Sequence, residues 1–246
     1  MIWSSASRSH VGLVREVNED ACLELPEAGV WVVADGMGGH EEGALASRLI
    51  VESLAQVGRH SRLSELVDEV EDRLRDVHAQ LLERAGEHTV VGSTVAALLV
   101  IQRFSVCLWV GDSRVYRFRD SRLEQLTQDH SYVEELVEHG GLSREEAEKH
   151  PEACVITRAV GAGNELCLDA RLEEVRSSDQ YLICSDGLYK EICDREIAAQ
   201  MQSADCQQIC DRLVDYVLDR GAQDNVTVVS IAIEDVRPAN QARDQV

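Results

Sequence analysis

Short apolar runs, most of them rich in β-branched residues, recur along the chain and predict β-strands. They cover residues 21–25, 30–34, 95–101, 104–110, 115–118, 181–184 and 226–233. Runs of this length and composition are typical of strands with at least one buried face. Gln102 and Arg103 alone separate the third run from the fourth, so these two runs predict a β-hairpin.

Apolar residues three and four positions apart predict amphipathic helices between these strands. One apolar face contains Ala46, Ile50, Leu54 and Val57; the next contains Leu63, Leu66, Val67, Val70, Leu74, Val77 and Leu81; a late one contains Cys206, Ile209, Leu213 and Val217. Ser131 and Ser143 each precede a glutamate by three residues, which is the form of a capping box and predicts two short helices in the middle of the chain.

The order of these elements predicts an α+β fold. Hairpins come first, then two consecutive helices, then more hairpins, and the regular β-α-β alternation of a doubly wound parallel sheet is absent. Antiparallel sheets with helices packed on their outer faces satisfy this order. No repeat or low-complexity linker divides the chain, so we expect one domain over residues 1–235, followed by a polar, flexible tail over residues 236–246.

The composition restricts the expected partners and location. The balance of 24 Lys+Arg against 45 Asp+Glu gives a net charge of −21, which repels phosphate backbones, so we expect no nucleic acid partner. No apolar run approaches the roughly 18 residues that span a bilayer, and the first residues do not form a signal peptide. We therefore expect a cytoplasmic protein without a membrane partner.

The eight cysteines contain no C-x-x-C pair, and several lie inside apolar runs. This distribution favours free thiols packed in the core, in a reducing compartment, over a zinc site or a disulfide framework.

Aspartates stand at the ends of several apolar runs. Asp35, Asp112 and Asp186 come after such runs, and Asp224 comes shortly before the last one. An aspartate there has a stiff backbone behind it, and neighbouring glycines leave a carbonyl accessible. Mg²⁺ and Mn²⁺ prefer such oxygen ligands. Asp-Gly and Asp-Asn are also common turn dipeptides, but four such positions together favour a metal site.

Two further segments add candidate chemistry. Arg15 lies five residues before Asp20, and an arginine can hold a phosphate with two parallel hydrogen bonds, although a lone arginine is more often a surface charge. A glycine-rich run over residues 35–40 ends in His40, directly before the first predicted helix. Taken by itself, such a run indicates only a flexible turn with a surface histidine.

Together these motifs resemble the metal-dependent serine/threonine phosphatases of type 2C, in their compact bacterial form. The resemblance runs from about residue 12 to residue 233 and rests on Arg15, Asn18-Glu19-Asp20, Asp35-Gly36-Met37-Gly38-Gly39-His40, Gly92-Ser93-Thr94, Gly111-Asp112-Ser113-Arg114, Ser185-Asp186-Gly187 and Asp224-Asn225. Residues 128–131 and 157–161 also resemble the start and the end of the mobile flap of bacterial members, which implies a flap over about residues 128–160.

The resemblance implies a four-layer α-β-β-α architecture, in which a central antiparallel β-sandwich is flanked by helices and carries two Mn²⁺ or Mg²⁺ ions at one edge. Asp35 would bridge the two ions, and Gly36 would offer its carbonyl oxygen to one of them. Asp186 and Asp224 would bind the other ion.

The same resemblance implies roles for the remaining motif residues. Glu19 and Asp20 would act mainly through water bound to the metal, and Asp112, with help from Asp186, matches a third metal position of bacterial members. Arg15 would hold the substrate phosphate. His40 matches the general acid that protonates the departing oxygen.

The implied activity is hydrolysis of phosphoserine and phosphothreonine in proteins by a metal-activated water, without a covalent enzyme intermediate. Such an enzyme would oppose a bacterial Ser/Thr kinase in signalling, with that kinase and its targets as partners, and we expect a monomer. A catalytically silent phosphoprotein-binding module of the same fold would lack a metal ligand. A two-metal nuclease would need a basic groove, which the net charge of −21 disfavours. Hydrolysis of small phosphomonoesters stays open as an alternative activity.

Overall fold

A computed structural model describes residues 2–38, 41–85, 91–147, 150–202 and 205–235. The strands are β1 (Ile2–His10), β2 (Asp20–Leu25), β3 (Val30–Met37), β4 (Gly92–Ser93), β5 (Val95–Ile101), β6 (Phe104–Val110), β7 (Arg114–Arg119), β8 (Arg122–Gln125), β9 (Asp169–Glu174), β10 (Gln180–Cys184) and β11 (Val226–Asp235). The helices are α1 (Glu41–Leu54), α2 (Leu63–Arg84), α3 (Tyr132–Glu138), α4 (Arg144–Ala147), α5 (Asp186–Tyr189), α6 (Asp194–Met201) and α7 (Cys206–Asp219).

The strands form two antiparallel sheets. One sheet has five strands in the order β1-β11-β10-β7-β8, and the other has six, in the order β2-β3-β5-β6-β9 with β4 paired to β3. The predicted hairpin is confirmed, because β5 and β6 pair from Ile101 and Phe104 onward. Gln102 in its turn adopts a positive φ of 55°, a conformation that two-residue hairpin turns require.

Three apolar layers hold the two sheets and the helices together. Side chains of both sheets, among them Trp31, Leu98 and Ile183, pack between the sheets. A second layer joins the six-stranded sheet to α1 and α2, and a third joins the five-stranded sheet to α5, α6 and α7. The predicted four-layer α-β-β-α architecture is therefore confirmed.

Burial on both faces explains why β3 is apolar at consecutive positions. Successive side chains of a strand point to opposite faces. Val30 and Val32 face the helices, whereas Trp31 and Val33 face the other sheet, where the ring of Trp31 meets that of Trp3 edge to face at 5.4 Å. A central strand of a four-layer fold thus lacks the alternation of a half-exposed strand.

Polar strands at the sheet edges are absent from the sequence prediction. β1 pairs only with β11, and its nine residues include serines at positions 4, 5, 7 and 9. β8 and β9 are also edge strands, with alternating exposed and partly buried residues. An edge strand with one solvent-exposed face has too few apolar residues to produce the apolar run from which a strand is predicted.

Loop cysteines depart from the prediction of core thiols. Cys107, Cys184, Cys206 and Cys210 are buried, whereas Cys154, Cys167 and Cys193 are exposed. The exposed ones lie outside the apolar runs on which the prediction depended. None of the helices that the structure describes is long and apolar enough to cross a membrane.

His78 joins α2 to the loop that follows the predicted flap. Its burial leads us to expect that the free energy of unfolding depends on pH. The imidazole is 6% exposed, and its Nδ1 accepts a hydrogen bond from the backbone N–H of Gly161 at 2.9 Å. Burial lowers the pKa of His78 below its ordinary value. Because the folded protein disfavours the charged imidazolium, this group's contribution is present above about pH 6.5 and is lost as the pH falls below it.

We expect His78→Asn, which keeps an acceptor near Nδ1, to weaken the loss of stability at low pH. The difference in the free energy of unfolding between wild type and variant should shrink from pH 7.5 to pH 5, by at most about 1.4 kcal/mol per pH unit for one proton. Thermal unfolding in EDTA at several pH values measures it, with the exposed His139→Asn as control. A difference that does not change with pH would contradict the assignment.

Candidate metal centre

The ends of β2 and β3 place two of the predicted aspartates side by side. Asp20 and Asp35 are direct partners in the antiparallel register. The backbone N–H of Asp35 donates to Thr94 Oγ1 at 3.1 Å, and the N–H of Thr94 donates to the carbonyl of Asp35 at 2.8 Å. These bonds fix the main chain on both sides of the Asp35 side chain.

Ser185 links the two sheets at this edge. Its hydroxyl donates to Asp20 Oδ2 at 2.7 Å and accepts from the backbone N–H of Thr227 at 3.0 Å. Ser185 follows β10 in the five-stranded sheet, whereas Asp20 begins β2 in the six-stranded sheet. The bond therefore brings Asp186, the next residue, to the same edge as Asp20 and Asp35.

The amide of Asn225 organises the loop that carries Arg15 and Glu19. Its Oδ1 accepts from the N–H of Glu19 at 2.8 Å, and its Nδ2 donates to the carbonyls of Val11 and Val17 at 2.9 and 3.0 Å. Arg15 Nη2 lies 2.8 Å from Asp224 Oδ2. Asn225 thus holds the loop against the start of β11, where Asp224 lies.

Close packing surrounds Gly36. A Cβ atom on Gly36 would lie 2.0 Å from the carbonyl oxygen of Gly43 in α1 and 2.7 Å from that of Glu19. A Cβ on Gly43 would lie 2.4 Å from Glu19 Oε1. The glycines therefore let α1, β3 and the Glu19 loop meet without intervening side chains, and the carboxylate of Glu19 lies over the first turns of α1.

Mutual repulsion among the aspartates marks them as one cluster. Burial, followed by the charges of Asp20, Asp186, Asp112 and Asp224, raises the pKa of Asp35 well above its ordinary value. Burial also raises the pKa of Asp20 and of Asp112 to about 7, with Asp186 as a further cause in both. The fold has thus gathered carboxylates that destabilise one another, an arrangement that a divalent cation would relieve.

The donor set fits a hard cation. Oδ1 of Asp20 is buried without a hydrogen-bond partner, so a strong acceptor is available inside the cluster. Within the described ranges, no three Asp, Glu, His or Cys side chains are already placed to hold one ion, and two of the carboxylates, Asp186 and Asp224, pair with Lys190 and Arg15. Carbonyl oxygens and water would therefore complete the coordination, as Mg²⁺ in particular prefers.

The loop that carries Asp112 is held from several sides. Asp112 is 6% exposed, and the hydroxyl of Tyr189 donates to its backbone carbonyl at 3.0 Å. Next to it, the hydroxyls of Ser113 and Thr94 lie 2.7 Å apart. Since Thr94 also accepts from Asp35, one hydrogen-bonded chain runs from Asp35 to the Asp112 loop.

His130 joins both ends of the predicted flap to the Asp112 loop. Its Nδ1 accepts from the N–H of Gly111 at 3.1 Å, and its own N–H donates to the carbonyl of Gly111 at 2.9 Å. Its carbonyl accepts from Thr157 at 2.8 Å, and its Nε2 lies 3.0 Å from Asp169 Oδ2. His130 thus fixes the start of the segment to the Asp112 loop and, through Thr157, to its far end.

A cavity of about 910 Å³ lies between the region of α3 and α4 and the region of α5 and α6. Its walls include Asp112, Ser131, Tyr189 and Lys190. Asp112 belongs both to this cavity wall and to the carboxylate cluster, so the cavity offers space for a molecule beside the cluster.

The structure brings the predicted aspartates together and places Arg15 beside them. His40 lies outside the described residues. Residues that the sequence analysis did not single out also contribute: Ser185 and Thr94, which appear there only as parts of motifs, and Tyr189 and Lys190. For Tyr189 and Lys190, the available signal was their position three and four residues after Asp186.

Comparisons with known proteins agree with this geometry. A family model described as protein phosphatase 2C matches residues 6–227. The chain is 34% identical over 238 residues to the serine/threonine protein phosphatase PstP of Mycobacterium tuberculosis, covering 96% of this chain and 46% of that protein. It is 31% identical over 235 residues to the serine/threonine phosphatase stp of Listeria monocytogenes, covering 91% and 93%. The chain thus spans about half the length of its mycobacterial relatives.

Solved structures share the whole fold. PppA, a key regulatory component of T6SS in Pseudomonas aeruginosa, superposes with a TM-score of 0.88 at 41% identity, covering 94% of this chain and 98% of that one. The catalytic domain of PstP in complex with two manganese ions superposes with a TM-score of 0.83 at 34% identity, covering 95% and 99%.

Proposed function

This chain belongs to the protein phosphatase 2C family, and from that premise we propose that it hydrolyses phosphoserine and phosphothreonine in proteins with two Mn²⁺ or Mg²⁺ ions. The observation that carries the proposal is the cluster of mutually repelling carboxylates at the sheet edge. The names of the bacterial relatives and the two manganese ions of the PstP catalytic domain support it.

The ligands in this proposal come from four positions. Asp35 would bridge the ions, Gly36 would offer its carbonyl oxygen, and Asp186 and Asp224 would bind through their carboxylates. Asp20 and Glu19 would act through water in the outer coordination. When bound, such ions supply Lewis-acid chemistry, since they activate water as a nucleophile and offset the charge of the phosphate.

Arg15 and His40 would handle the substrate. The Arg15 side chain is 52% exposed, and its partner Asp224 is 36% exposed, so this ion pair is accessible and can exchange one partner for another. A guanidinium that turns from Asp224 to the phosphate would hold two of its oxygens. His40 would protonate the departing seryl or threonyl oxygen; its role rests on the family resemblance alone.

The wider setting is part of the same proposal. One catalytic domain over residues 1–235, with a flap over about residues 128–160 and a polar tail over residues 236–246, would act as a monomer in the bacterial cytoplasm. Its substrates would be proteins phosphorylated by a Ser/Thr kinase. The catalytically silent alternative has little support, because the predicted ligand positions 35, 186 and 224 all hold aspartate.

Hydrolysis of a phosphothreonine peptide in Mn²⁺ and in EDTA tests the proposal. We expect activity only with the metal, and a loss of about 100-fold or more in Asp186→Ala, since this change removes a proposed metal ligand and even the outer-shell partners of such ligands contribute about 10- to 100-fold. The control is Asp219→Ala, which removes an exposed carboxylate at the end of α7. If the metal-loaded wild type hydrolyses neither this peptide nor p-nitrophenyl phosphate, the silent binding module is the better reading.

A further inference from the structure

Lys190 places its ammonium group inside the carboxylate cluster. It follows α5, one helical turn after Asp186, and its Nζ contacts Asp186 Oδ2 directly. Its backbone N–H also donates to the carbonyl of Asp186 at 3.0 Å. Side chains four residues apart on a helix face one another, so the short α5 helix delivers this ammonium to the carboxylate that the proposed function assigns to a metal ion.

Asp112 lines the same cavity as Lys190. The hydroxyl of Tyr189, the residue before Lys190, donates to the backbone carbonyl of Asp112 at 3.0 Å. Lys190 therefore contacts the carboxylate of Asp186 and lies next to a residue that is bonded to the Asp112 loop.

Arg114, a second cation of the same cavity wall, is held elsewhere. Its guanidinium donates to both carboxylate oxygens of Asp129, at 2.7 to 3.1 Å, and its Nη1 donates to the hydroxyl of Tyr116. Its Cζ atom also lies 3.5 Å from the centre of the Tyr189 ring. A side chain held by these contacts is not free to neutralise Asp112.

The two ion pairs of the cluster differ in exposure. Arg15 and Asp224 are 52% and 36% exposed, whereas Lys190 and Asp186 are 33% and 13% exposed. Water screens the first pair more than the second, so the first opens more easily. Lys190 is thus the more persistent of these two cationic partners of the carboxylates.

We propose that Lys190 is a built-in cation at the Asp112–Asp186 position, so that this chain binds divalent ions at the Asp35 side of the cluster and no third ion beside Asp112. An ammonium that already contacts Oδ2 of Asp186 repels a further cation and occupies an oxygen that this cation would need. The contact involves Oδ2 alone, so the other carboxylate oxygen of Asp186 can still bind an ion of the proposed metal centre. This inference rests on the proposed function. It departs from the third-metal position that the family resemblance assigns to Asp112.

Equilibrium binding of Mn²⁺, followed by the electron paramagnetic resonance signal of the free ion, tests this inference without measuring activity. We expect two ions for the wild type and three for Lys190→Met, which keeps the aliphatic stem and removes the charge. Lys190→Arg, the matched control that keeps the charge, should bind two. Lys190→Met combined with Asp112→Asn should return to two, because the third ion would lose its buried carboxylate.

The remaining outcomes contradict either the role of Lys190 or the proposed function. Three ions in the wild type, or two in both the wild type and Lys190→Met, overturn the role of Lys190 and leave the proposed function standing. No Mn²⁺ binding by any variant overturns both. If Lys190→Met does not fold by circular dichroism, Asp112→Asn alone decides: it must still bind two ions, and loss of an ion overturns the inference.

Discussion

Replacing Asp35 with asparagine is expected to abolish metal-dependent hydrolysis and, at the same time, to stabilise the metal-free protein. The carboxylate lies opposite Asp20, and burial together with the surrounding charges raises its pKa well above the ordinary value. A raised pKa in the folded state means that the ionised form is disfavoured there at neutral pH. A neutral side chain of the same shape removes that cost, and it also removes the proposed bridging ligand.

The expected size of both effects is large enough to measure. Activity on a phosphothreonine peptide should fall by about 100-fold or more, because a proposed metal ligand is lost and even the outer-shell partners of such ligands contribute about 10- to 100-fold. In EDTA, each ~1 kcal/mol gained should raise Tm by about 2–4 °C in a protein of this size. Mn²⁺ should raise the Tm of the wild type and have a much smaller effect on Asp35→Asn, since a ligand stabilises only the state that binds it.

Asp219→Asn serves as the control, because this residue is exposed and lies at the end of α7. It should change neither the activity nor the response to Mn²⁺. An Asp35→Asn protein that is less stable than the wild type in EDTA would mean that the carboxylate makes a net favourable contribution to the metal-free fold. The description of the cluster as a set of repelling charges would then be wrong.

Replacing Gly36 with alanine is expected to damage the site through the backbone alone. The added Cβ would meet the carbonyl oxygens of Gly43 and Glu19 at 2.0 and 2.7 Å, and both are main-chain atoms that no rotamer change can move. Either α1 or the Glu19 loop must shift. Overpacking of this kind costs about 1–3 kcal/mol or more, so we expect a fall in Tm of several degrees.

The same shift should weaken Mn²⁺ binding, because Gly36 offers its carbonyl oxygen in the proposed centre and lies between Asp35 and α1. Thermal unfolding in EDTA and a Mn²⁺ titration measure the two effects separately. Gly58→Ala is the matched control: its nearest neighbour would be the flexible side chain of Glu69, at 3.8 Å. If Gly36→Ala matched the wild type in both measurements, the close packing of α1 on β3 would not be required.

The sequence predicts central elements better than peripheral ones, and β3 and β1 show why. The consecutive apolar positions of β3 follow from burial on both faces, so a local pattern reveals the strand. β1 is equally regular but polar, and it is a strand because it pairs with β11 along its whole length. That pairing joins residues more than 200 positions apart, which no local pattern can contain.

The candidate site likewise combines features that the sequence shows with features that only the tertiary structure shows. The sequence by itself determined which aspartates end buried strands, and hence the oxygen-rich chemistry, the family resemblance and the antiparallel α+β architecture. Only the tertiary structure decided that Ser185 of one sheet bonds Asp20 of the other, that Asn225 orders the Arg15 loop, and that Lys190 turns its ammonium toward Asp186. The physical reason is that residue type and local periodicity set which groups can ionise and which surfaces must be buried. The charges that surround each ionisable group, in contrast, depend on contacts between distant segments. These contacts exist only after the two sheets have packed together.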